Sequence, residues 1–407
     1  MPPPHALVDP QGALTPPVAS LRDAIIARTL RKAFGPETRG RLEVVLPSAH
    51  RVMLGSGNEA PARLVMHSYA LIWRLATRGS LGPAESYLRG EIDAPDLGAV
   101  MRFFITNYSA LQSAGSGLFA FKPRLPDILW HRRRENTLKG SRRNIAAHYD
   151  LGNDFYKLWL DPGMTYSSAL YRDAGVSLDA AQDEKYRVVL DALGDLEGKT
   201  LLEIGCGWGG LAERATARGA RVTGLTLSRE QLAFARARVP TDAEFRLQDY
   251  RACDGAFDAI ASVEMIEAVG EERWATYFAT IRDRLKPGGS ASIQAITIDE
   301  QFFESYRAQT DFIQRYIFPG GMLPTVSRMR EEAEAAGLTF EIVERFGQSY
   351  VRTLAEWRTR FRASWPEIEK LGFDERFRRM WEYYLTYCEV GFECGDVDVG
   401  VYRCTRV

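Results

Sequence analysis

Five short apolar runs, separated by stretches with helical spacing, constrain this chain more than any other feature. Strands of this length that alternate with helices are typical of βαβ units, in which helices cover both faces of a mostly parallel sheet. Residues 144–407 are therefore predicted to form a doubly wound, Rossmann-like α/β sheet. The runs are TLLEIG, RVTGLT, EFRLQD, FDAIASV and SASIQAIT.

A glycine-rich turn follows the first run, in LLEIGCGWGG. Gly205, Gly207 and Gly209 allow a sharp turn and a close approach of the backbone to a ligand, because they lack a Cβ. A glycine motif alone is weak evidence, and this one could be a dinucleotide fingerprint. The second run leads into GLTLSREQ, which has no ribose-binding acid at the strand end. The missing acid therefore disfavours NAD as the ligand.

The order of the later motifs fits S-adenosylmethionine (SAM) instead. The glycine turn, with Glu203 in the strand before it, would contact the methionine part of SAM. GLTLS would meet the ribose, and LQDY, with Asp249, falls where the adenine amino group is recognised. LKPGG is the turn before the next strand in many such enzymes. Each motif alone is also typical of an ordinary turn or helix cap, but together they predict a SAM methyltransferase fold.

The first part of the chain has a different composition. Residues 1–20 are proline-rich and are expected to be disordered. Residues 21–121 are predicted to form a smaller mixed α+β domain. Its predicted elements are two paired strands (RLEVVLP and RVMLGSG), a helix in ARLVMHSYALIWRLAT whose first residues could be strand, and a helix in DLGAVMRFFITNYSAL capped by Asp96.

A basic linker, residues 122–143, joins the two parts. It contains eight Lys or Arg residues against two acids, with Leu129 and Trp130 among them. One interpretation is a solvated linker helix. The other is contact with an anionic lipid surface, to which each basic residue would contribute about 1 kcal/mol. The sequence leaves both interpretations open.

Composition indicates which kinds of partner the protein binds and where in the cell it is expected. The formal net charge of −1 gives no indication of nucleic-acid binding. The five cysteines form no CxxC pair and no metal-ligand spacing with the histidines, so free thiols and no metal site are expected. The N-terminus lacks the pattern of a signal peptide, and no apolar stretch reaches the roughly 20 residues that span a bilayer. We therefore expect a cytoplasmic protein that is soluble or peripheral to a membrane.

The second part of the chain resembles the cyclopropane-fatty-acyl-phospholipid synthase family. Within SAM methyltransferases, IFPGG together with YVRTL is specific to this family. The smaller domain resembles the family's N-terminal part more loosely, through GSLGPAESYLRGEIDAPDL. The remaining matching stretches are HYDLGNDFYKLWLDPGMTYSSALY, LLEIGCGWGGLAERA, GLTLSREQ, SVEMIEAVG and YCEVGF, and they cover most of residues 146–407.

The resemblance implies a substrate, a methyl donor and a set of contacts. The substrate would be an unsaturated acyl chain of a phospholipid at the inner face of the membrane, and the donor would be SAM. The sequence does not determine the oligomeric state, and a homodimer is one possibility. The resemblance assigns Tyr166 and Ser167 to the sulfonium end of SAM, Gly205 and Gly207 to its loop, Thr226, Leu227 and Gln231 to the ribose side, and Asp249 and Tyr250 to the adenine side.

Methyl transfer to an alkene leaves a carbocation on the chain, and aromatic faces can stabilise such a cation. Removing a proton from the new methyl group closes a cyclopropane ring. Removing one after a hydride shift, or from elsewhere on the chain, gives a methylene group or a rearranged alkene, and hydride delivery gives a methyl branch. Aromatic candidates for the pocket, some of which are expected to be plain core, are Phe302, Phe303, Tyr306, Phe312, Tyr316 and Phe318.

Ring-forming members of the family hold a bicarbonate ion as the base, and the resemblance locates its ligands. They are a cysteine in YSCA, the glutamate of FEH, a histidine in the strand after PGG, and a tyrosine in YxxTL. Here Ser168 stands at the cysteine position and Gln294 at the histidine position. Glu267 and Tyr350 keep theirs, although Ala268 follows the glutamate.

These substitutions leave two interpretations open. Ser168 and Gln294 still form hydrogen bonds, so an anion or water could stay bound and a ring could still form. Alternatively, the anion site is weakened and Glu267, or a water it holds, serves as the base. The product would then be a methyl-branched, methylene or methylated polyene fatty acid. A non-catalytic lipid-binding subunit is a further alternative, and so is a small-molecule or RNA methyltransferase, although the chain lacks an NPPY-type motif.

Overall fold

The computed structural model describes residues 20–35, 37–107 and 151–407. The chain divides into two compact units, Met1–Lys122 and Pro123–Val407. Almost all of the proline-rich tail and the whole basic linker lie outside the described residues, so both predictions stay predictions. Within the described residues, no helix is both long and apolar enough to cross a membrane.

The first unit contains a four-stranded sheet in the order β2-β1-β3-β4. The two predicted strands pair in antiparallel register as β1 and β2. The third predicted segment begins as a strand, since Leu64 and Met66 alternate toward the core, and becomes helical only from Ala70. The strands are β1 (Gly40–Val45), β2 (Arg51–Ser56), β3 (Ala62–Met66) and β4 (Ile92–Asp93).

The described residues of this unit also form four helices. The last one begins where the sequence predicts, because the Asp96 carboxylate accepts a hydrogen bond from the backbone N–H of Ala99 at 2.9 Å. The helices are α1 (Leu21–Ala33), α2 (Ala70–Arg78), α3 (Leu81–Leu88) and α4 (Leu97–Thr106).

The second unit is built on a seven-stranded sheet in the order β10-β11-β9-β8-β5-β6-β7. The five predicted runs form β5 to β9, which are mutually parallel where they pair. The last two strands, which the sequence analysis missed, add to β9 in antiparallel orientation. The strands are β5 (Thr200–Ile204), β6 (Arg221–Thr226), β7 (Ala243–Leu247), β8 (Phe257–Val263), β9 (Leu285–Ile298), β10 (Leu338–Arg345) and β11 (Val397–Arg406).

The predicted LKPGG turn appears as an irregularity inside β9. The pairing with β8 jumps from Leu285 to Ser290, and Gly288 adopts a left-handed φ of 72° between them. The turn residues therefore lie in the looped-out section of a longer strand.

Helices cover the sheet and carry much of the aromatic content. One apolar cluster packs the sheet against α9 and α11, with Tyr277, Phe278 and Met329 among its buried members. The helices are α5 (Asn153–Lys157), α6 (Leu178–Asp191), α7 (Gly210–Thr216), α8 (Arg229–Arg238), α9 (Trp274–Arg284), α10 (Glu300–Arg307), α11 (Val326–Ala335), α12 (Gly347–Ala363), α13 (Trp365–Lys370) and α14 (Glu375–Cys394).

The topology fixes where a ligand can bind. The carboxyl ends of β5, β6, β7 and β8 meet at one edge of the sheet. In open α/β sheets, ligands bind outside this edge, where the strand order reverses. The glycine turn follows β5 at this edge, and the segment after β8 lies beside it.

Candidate active site

The glycine turn has the backbone geometry that the sequence predicts. Gly205, Gly207 and Gly209 have φ values of 82°, 51° and 83°, in the left-handed region that favours glycine. A Cβ on Gly209 would lie 3.1 Å from the Cβ of Ala235, so this glycine also brings α8 close to the turn. Helix α7 begins at Gly210, and its N-terminus follows the turn.

The residues predicted for the ribose side form one hydrogen-bonded group after β6. The Thr226 hydroxyl donates to Gln231 Oε1 at 2.9 Å, and the Ser228 N–H donates to the Thr226 hydroxyl at 3.1 Å. Leu227 lies between them and is half-buried. The threonine and glutamine side chains hold each other in place at the strand edge.

The two residues predicted for the adenine side follow β7 but differ in orientation. Asp249 accepts a hydrogen bond from the Arg251 guanidinium at 2.6 Å and another from the Arg251 backbone N–H at 3.0 Å. The Tyr250 ring packs against Tyr277 at 5.7 Å within the apolar cluster, and burial raises the pKa of its hydroxyl to about 12. Asp249 is therefore at the edge, whereas the Tyr250 side chain belongs to the core.

A buried lysine, Lys185, contacts Ser167, which is predicted to lie at the sulfonium end of SAM, and was missed by the sequence analysis. Its ammonium donates to the Ser167 hydroxyl at 2.6 Å, and burial lowers its pKa to about 8. Glu203 in β5 faces the same charge, and burial raises the pKa of this carboxyl to about 8. The sequence could have indicated this lysine, because it occurs at helical spacing among core-facing positions and a buried lysine needs a partner. The buried residues on this face of the helix include Leu178, Ala181, Lys185 and Val189.

The residues present fit SAM. The glycine turn brings bare backbone to the carboxyl edge of the sheet, and the Oε2 atom of Glu203 is buried there without a hydrogen-bond partner. A buried polar atom without a partner is costly unless a ligand or water satisfies it. A bound amino-acid group of SAM would supply the missing donor.

Tyr166 lies in an aromatic cluster formed by residues of α5, α12 and α14. Its ring is 5.6 Å from Trp159 and 5.4 Å from Trp357, and its hydroxyl lies 2.9 Å from that of Tyr384. Electron-rich faces therefore surround the residue predicted to lie beside the sulfonium.

The aromatic segment predicted to line the pocket divides into two groups. Phe302, Phe303 and Tyr306 pack on the apolar cluster, with Phe303 buried 6.3 Å from Trp274. The later three turn toward α14 and one another. The contacts are Phe312 with Tyr383 at 4.6 Å and with Tyr316 at 5.4 Å, and Phe318 with Tyr384 at 6.3 Å.

Three of the four predicted catalytic residues converge on a carboxylate that the sequence analysis did not single out. The Ser168 backbone N–H and the Gln294 side-chain amide donate to Glu264 Oε1, each at 2.8 Å. The Tyr350 hydroxyl donates to Glu264 Oε2, also at 2.8 Å. The Ser168 hydroxyl instead donates to the carbonyl of Ala169 at 2.9 Å. Ser168 therefore serves this carboxylate with its backbone.

Glu267, the predicted base, has different surroundings. Its Oε1 accepts a hydrogen bond from the Ile296 backbone N–H at 2.5 Å, and its Oε2 is buried without a hydrogen-bond partner. Burial, together with repulsion from Glu264, raises the pKa of Glu267 to about 8. At neutral pH this carboxyl therefore holds its proton.

Glu264 is marked by its position and its backbone. It directly follows β8, at the carboxyl edge beside the glycine turn, and has a left-handed φ of 47°. Non-glycine residues in this region are uncommon and cluster at functional sites. Burial raises the pKa of the Glu264 carboxyl, while the nearby Lys185 and the three hydrogen-bond donors oppose that rise. In the sequence, its position directly after a predicted parallel strand could have indicated a functional residue.

Comparison with known proteins identifies the family. The model for mycolic acid cyclopropane synthetases matches residues 136–402. The chain belongs to this family. It is 38% identical to tuberculostearic acid methyltransferase UfaA1 of Mycobacterium tuberculosis, over 94% of this chain and 91% of that protein. It is 35% identical to cyclopropane-fatty-acyl-phospholipid synthase of Escherichia coli, over 86% of this chain and 89% of that protein.

Solved structures agree with this assignment. The crystal structure of mycolic acid cyclopropane synthase CmaA1 complexed with SAH and CTAB matches with a TM-score of 0.61 and 31% identity, covering 65% of this chain and 98% of that one. The family, the SAM methyltransferase fold, the class of enzyme and SAM as methyl donor, all predicted from the sequence, are thereby confirmed.

Proposed function

We propose that this protein transfers the methyl group of SAM to a carbon–carbon double bond in an unsaturated phospholipid acyl chain, as a cyclopropane fatty acid synthase does. The observation that carries the proposal is the carboxylate of Glu264, held by three donors beside the SAM turn. A Cβ on Gly205 would lie 2.9 Å from Met265 Cγ, so the residue after Glu264 packs directly on that turn. An acid–base group and the methyl donor would thus share one site.

Partial solvent access to several side chains of the second unit supports a path for an acyl chain. Tyr306, Tyr387 and Cys388 are half-buried, and so is Glu264. Most of these side chains are aromatic or apolar, as a site for a fatty acyl chain requires.

The chain's own residues can prepare the alkene for reaction. SAM, when bound, supplies an electrophilic methyl group on its sulfonium. Tyr166 and the aromatic side chains around it exclude water and hold the double bond in line with that group. Their faces also stabilise the positive charge that develops on the chain.

One observation favours a second product class. Tuberculostearic acid methyltransferase UfaA1 is 38% identical over nearly the whole chain, and its name describes a methyltransferase rather than a ring-forming synthase. Ser168 and Gln294, which replace two bicarbonate ligands of ring-forming members, point the same way. A methyl-branched or methylene fatty acid is therefore the second candidate product.

Deuterium labelling tests the proposal. Cells that express the protein are fed methionine with a fully deuterated methyl group, and their phospholipid fatty acids are examined by mass spectrometry. Two retained deuteriums mean that a proton left the transferred methyl, as for a ring or an exocyclic methylene group, and hydrogenation separates these products. Three retained deuteriums indicate the methyl-branched class. Gly205→Val, which would press on Met265, is the control, and absence of label with the wild-type protein contradicts the proposal.

Membrane contact is a second part of the proposal, and α1 supports it. Leu21 and Ile25 are 80% and 57% exposed on this helix. Its exposed charged residues are all basic: Arg22, Arg28, Arg31 and Lys32. Exposed apolar residues between basic ones are typical of helices that lie on anionic lipid surfaces.

Vesicle sedimentation tests this contact. Replacing Arg28, Arg31 and Lys32 by glutamate should weaken binding to anionic vesicles and remove its dependence on salt concentration. Lys370→Glu, at a lysine of the second unit that is 75% exposed, is the control. The same test applies to Arg132, Arg133 and Arg134 of the basic linker. Unchanged binding by both triple variants contradicts membrane contact through these segments.

A further inference from the structure

The Glu264 carboxylate lies in a cage of donors from three separate parts of the chain. The Ser168 N–H comes from the segment before α6, the Gln294 amide from β9 and the Tyr350 hydroxyl from α12, each at 2.8 Å. A backbone N–H, an amide and a phenol pointing at one place form an anion-binding site. In this chain the anion in that site is a side chain.

We propose that Glu264 is the built-in base of the reaction, so that the enzyme needs no bound bicarbonate. This inference rests on the proposed methyl transfer to an alkene. It also gives a physical reason for Ser168 and Gln294. The residues that would hold an external anion instead hold a carboxylate that the chain supplies.

The charges in the site favour Glu264 over Glu267 for this role. Lys185 is buried and stabilises the charged form of Glu264, as do the three hydrogen bonds. Glu267 has one hydrogen bond and keeps its proton at neutral pH, because burial and the charge of Glu264 both raise its pKa. Two neighbouring carboxyl groups with such different surroundings are typical of acid–base sites.

Hydrogen bonding and backbone strain support the same assignment. Both glutamates are half-buried, but Glu264 accepts three hydrogen bonds, whereas Glu267 buries its Oε2 without a partner. The left-handed φ of 47° shows that the surroundings force Glu264 into an unfavourable backbone conformation. Backbone strain of this kind clusters at functional sites.

The proposed step balances in atoms and charge. The π electrons of the alkene form the new carbon–carbon bond as the S–CH3 bond breaks toward sulfur, which leaves a cation on the chain. A Glu264 oxygen then takes a proton either from the new methyl, which is bonded to the carbon next to the cationic centre, or from a carbon bonded directly to that centre. The freed C–H electron pair closes a ring bond to the cationic carbon in the first case and forms a double bond in the second. Glu264 ends protonated, and loss of that proton to water resets the site.

The first experiment measures dependence on bicarbonate. The full-length enzyme transfers labelled methyl groups from SAM to vesicles of unsaturated phospholipid, in buffer sparged free of carbon dioxide and again with added bicarbonate. We expect equal rates in the two buffers. A rate that falls on depletion and returns with bicarbonate would overturn the proposal.

The second experiment is chemical rescue. Glu264→Ala should lower the rate by about 10²–10⁴-fold, as loss of a general base does. Bicarbonate or formate should then restore activity in a saturable way, because the donor cage of Ser168, Gln294 and Tyr350 is left open to a small anion. Glu264→Gln, which keeps the shape but not the charge, should lose as much activity and gain nothing from either anion.

Calorimetry with SAM separates these outcomes from misfolding. Variants that bind SAM as the wild type does are folded, and an absence of rescue in such a folded Glu264→Ala protein rules out the built-in base. If the alanine variant does not fold, bicarbonate dependence of the wild-type enzyme decides alone. If the wild-type enzyme labels no lipid at all, the proposed function itself fails, which is distinguishable from labelling that depends on bicarbonate.

Discussion

At the scale of single residues, Glu264 and Glu267 lie three positions apart but have different hydrogen-bonding surroundings. Glu264 receives three hydrogen bonds, whereas Glu267 receives one from the Ile296 backbone and buries its other oxygen. The three donors and the nearby Lys185 oppose the rise in the pKa of Glu264 that burial causes, whereas the charge of Glu264 adds to the rise in the pKa of Glu267.

The raised pKa of Glu267 predicts a pH-dependent cost to stability. In the folded protein the pKa is about 8, against an ordinary value of 4.5. Between these values the unfolded chain releases a proton that the folded protein keeps, so folding becomes less favourable as pH rises. Glutamine cannot ionise. Glu267→Gln should therefore gain stability relative to the wild type as pH rises from about 5 to about 8.

Urea denaturation at several pH values measures this difference. Glu304→Gln, at an exposed glutamate, is the control and should follow the wild type across the range. A gain for Glu267→Gln that is constant with pH, or that shrinks as pH rises, would contradict the assignment of a raised pKa.

Lys185 is a positioning residue, since it acts through Ser167 and through the charge of Glu264. Lys185→Met removes the buried positive charge, so the pKa of Glu264 should rise further. The acid limb of the pH–rate profile should move to higher pH, and the rate at a fixed pH on that limb should fall about 10-fold for each unit by which the pKa rises. An acid limb at the wild-type position, in a variant that still binds SAM, would argue against this coupling.

At the scale of elements, the turn between β5 and α7 depends on packing as well as on backbone freedom. Gly209 and Gly198 both have left-handed φ values, 83° and 67°. A Cβ on Gly209 would press on Ala235, whereas a Cβ on Gly198 would meet no atom within 4 Å. Substitution at Gly198 would therefore introduce backbone strain alone, whereas substitution at Gly209 would add steric displacement of α8.

Alanine substitution at both positions measures the two effects. Gly198→Ala should cost about 1–2 kcal/mol of stability from backbone strain alone. Gly209→Ala should cost more and should also weaken SAM binding, because α8 carries Gln231 of the ribose side. Denaturation and SAM titration give both quantities, and equal losses of stability with equal SAM affinity would show that the contact with Ala235 is unimportant.

At the scale of the whole molecule, the chain divides into two units, and the match to the family model lies entirely in the second. Cyclopropane mycolic acid synthase 1 of Mycobacterium tuberculosis aligns over 99% of its own length with 66% of this chain. That synthase therefore matches only about two thirds of the present chain over its own full length. The separate docking role proposed for the first unit is consistent with that difference.

A fragment of residues 123–407 should thus fold and bind SAM with the affinity of the full chain. It should lose binding to anionic vesicles, because α1 is absent. Calorimetry and sedimentation check the two parts separately. Loss of SAM binding would mean that the first unit supports the SAM site, and retained vesicle binding would place the membrane contact in the second unit.

Local sequence determined the parallel half of the large sheet, the SAM turn and the paired strands of the small unit. These features depend on apolar spacing and on glycine, which act over a few residues. The final two strands were missed, since GVYRC and FEIVE give a weaker pattern next to long helices. Their antiparallel pairing with β9 and with each other exists only in the folded sheet.

The identity of the central carboxylate, in contrast, was decided by tertiary structure. SVEMIEAVG presents two glutamates, and the family pattern selects Glu267, yet the predicted donors meet at Glu264. Those donors are separated from it by 96, 30 and 86 residues in the chain. Spacing in a sequence cannot specify contacts over such distances, because they arise only when the sheet edge, α12 and the segment before α6 pack together.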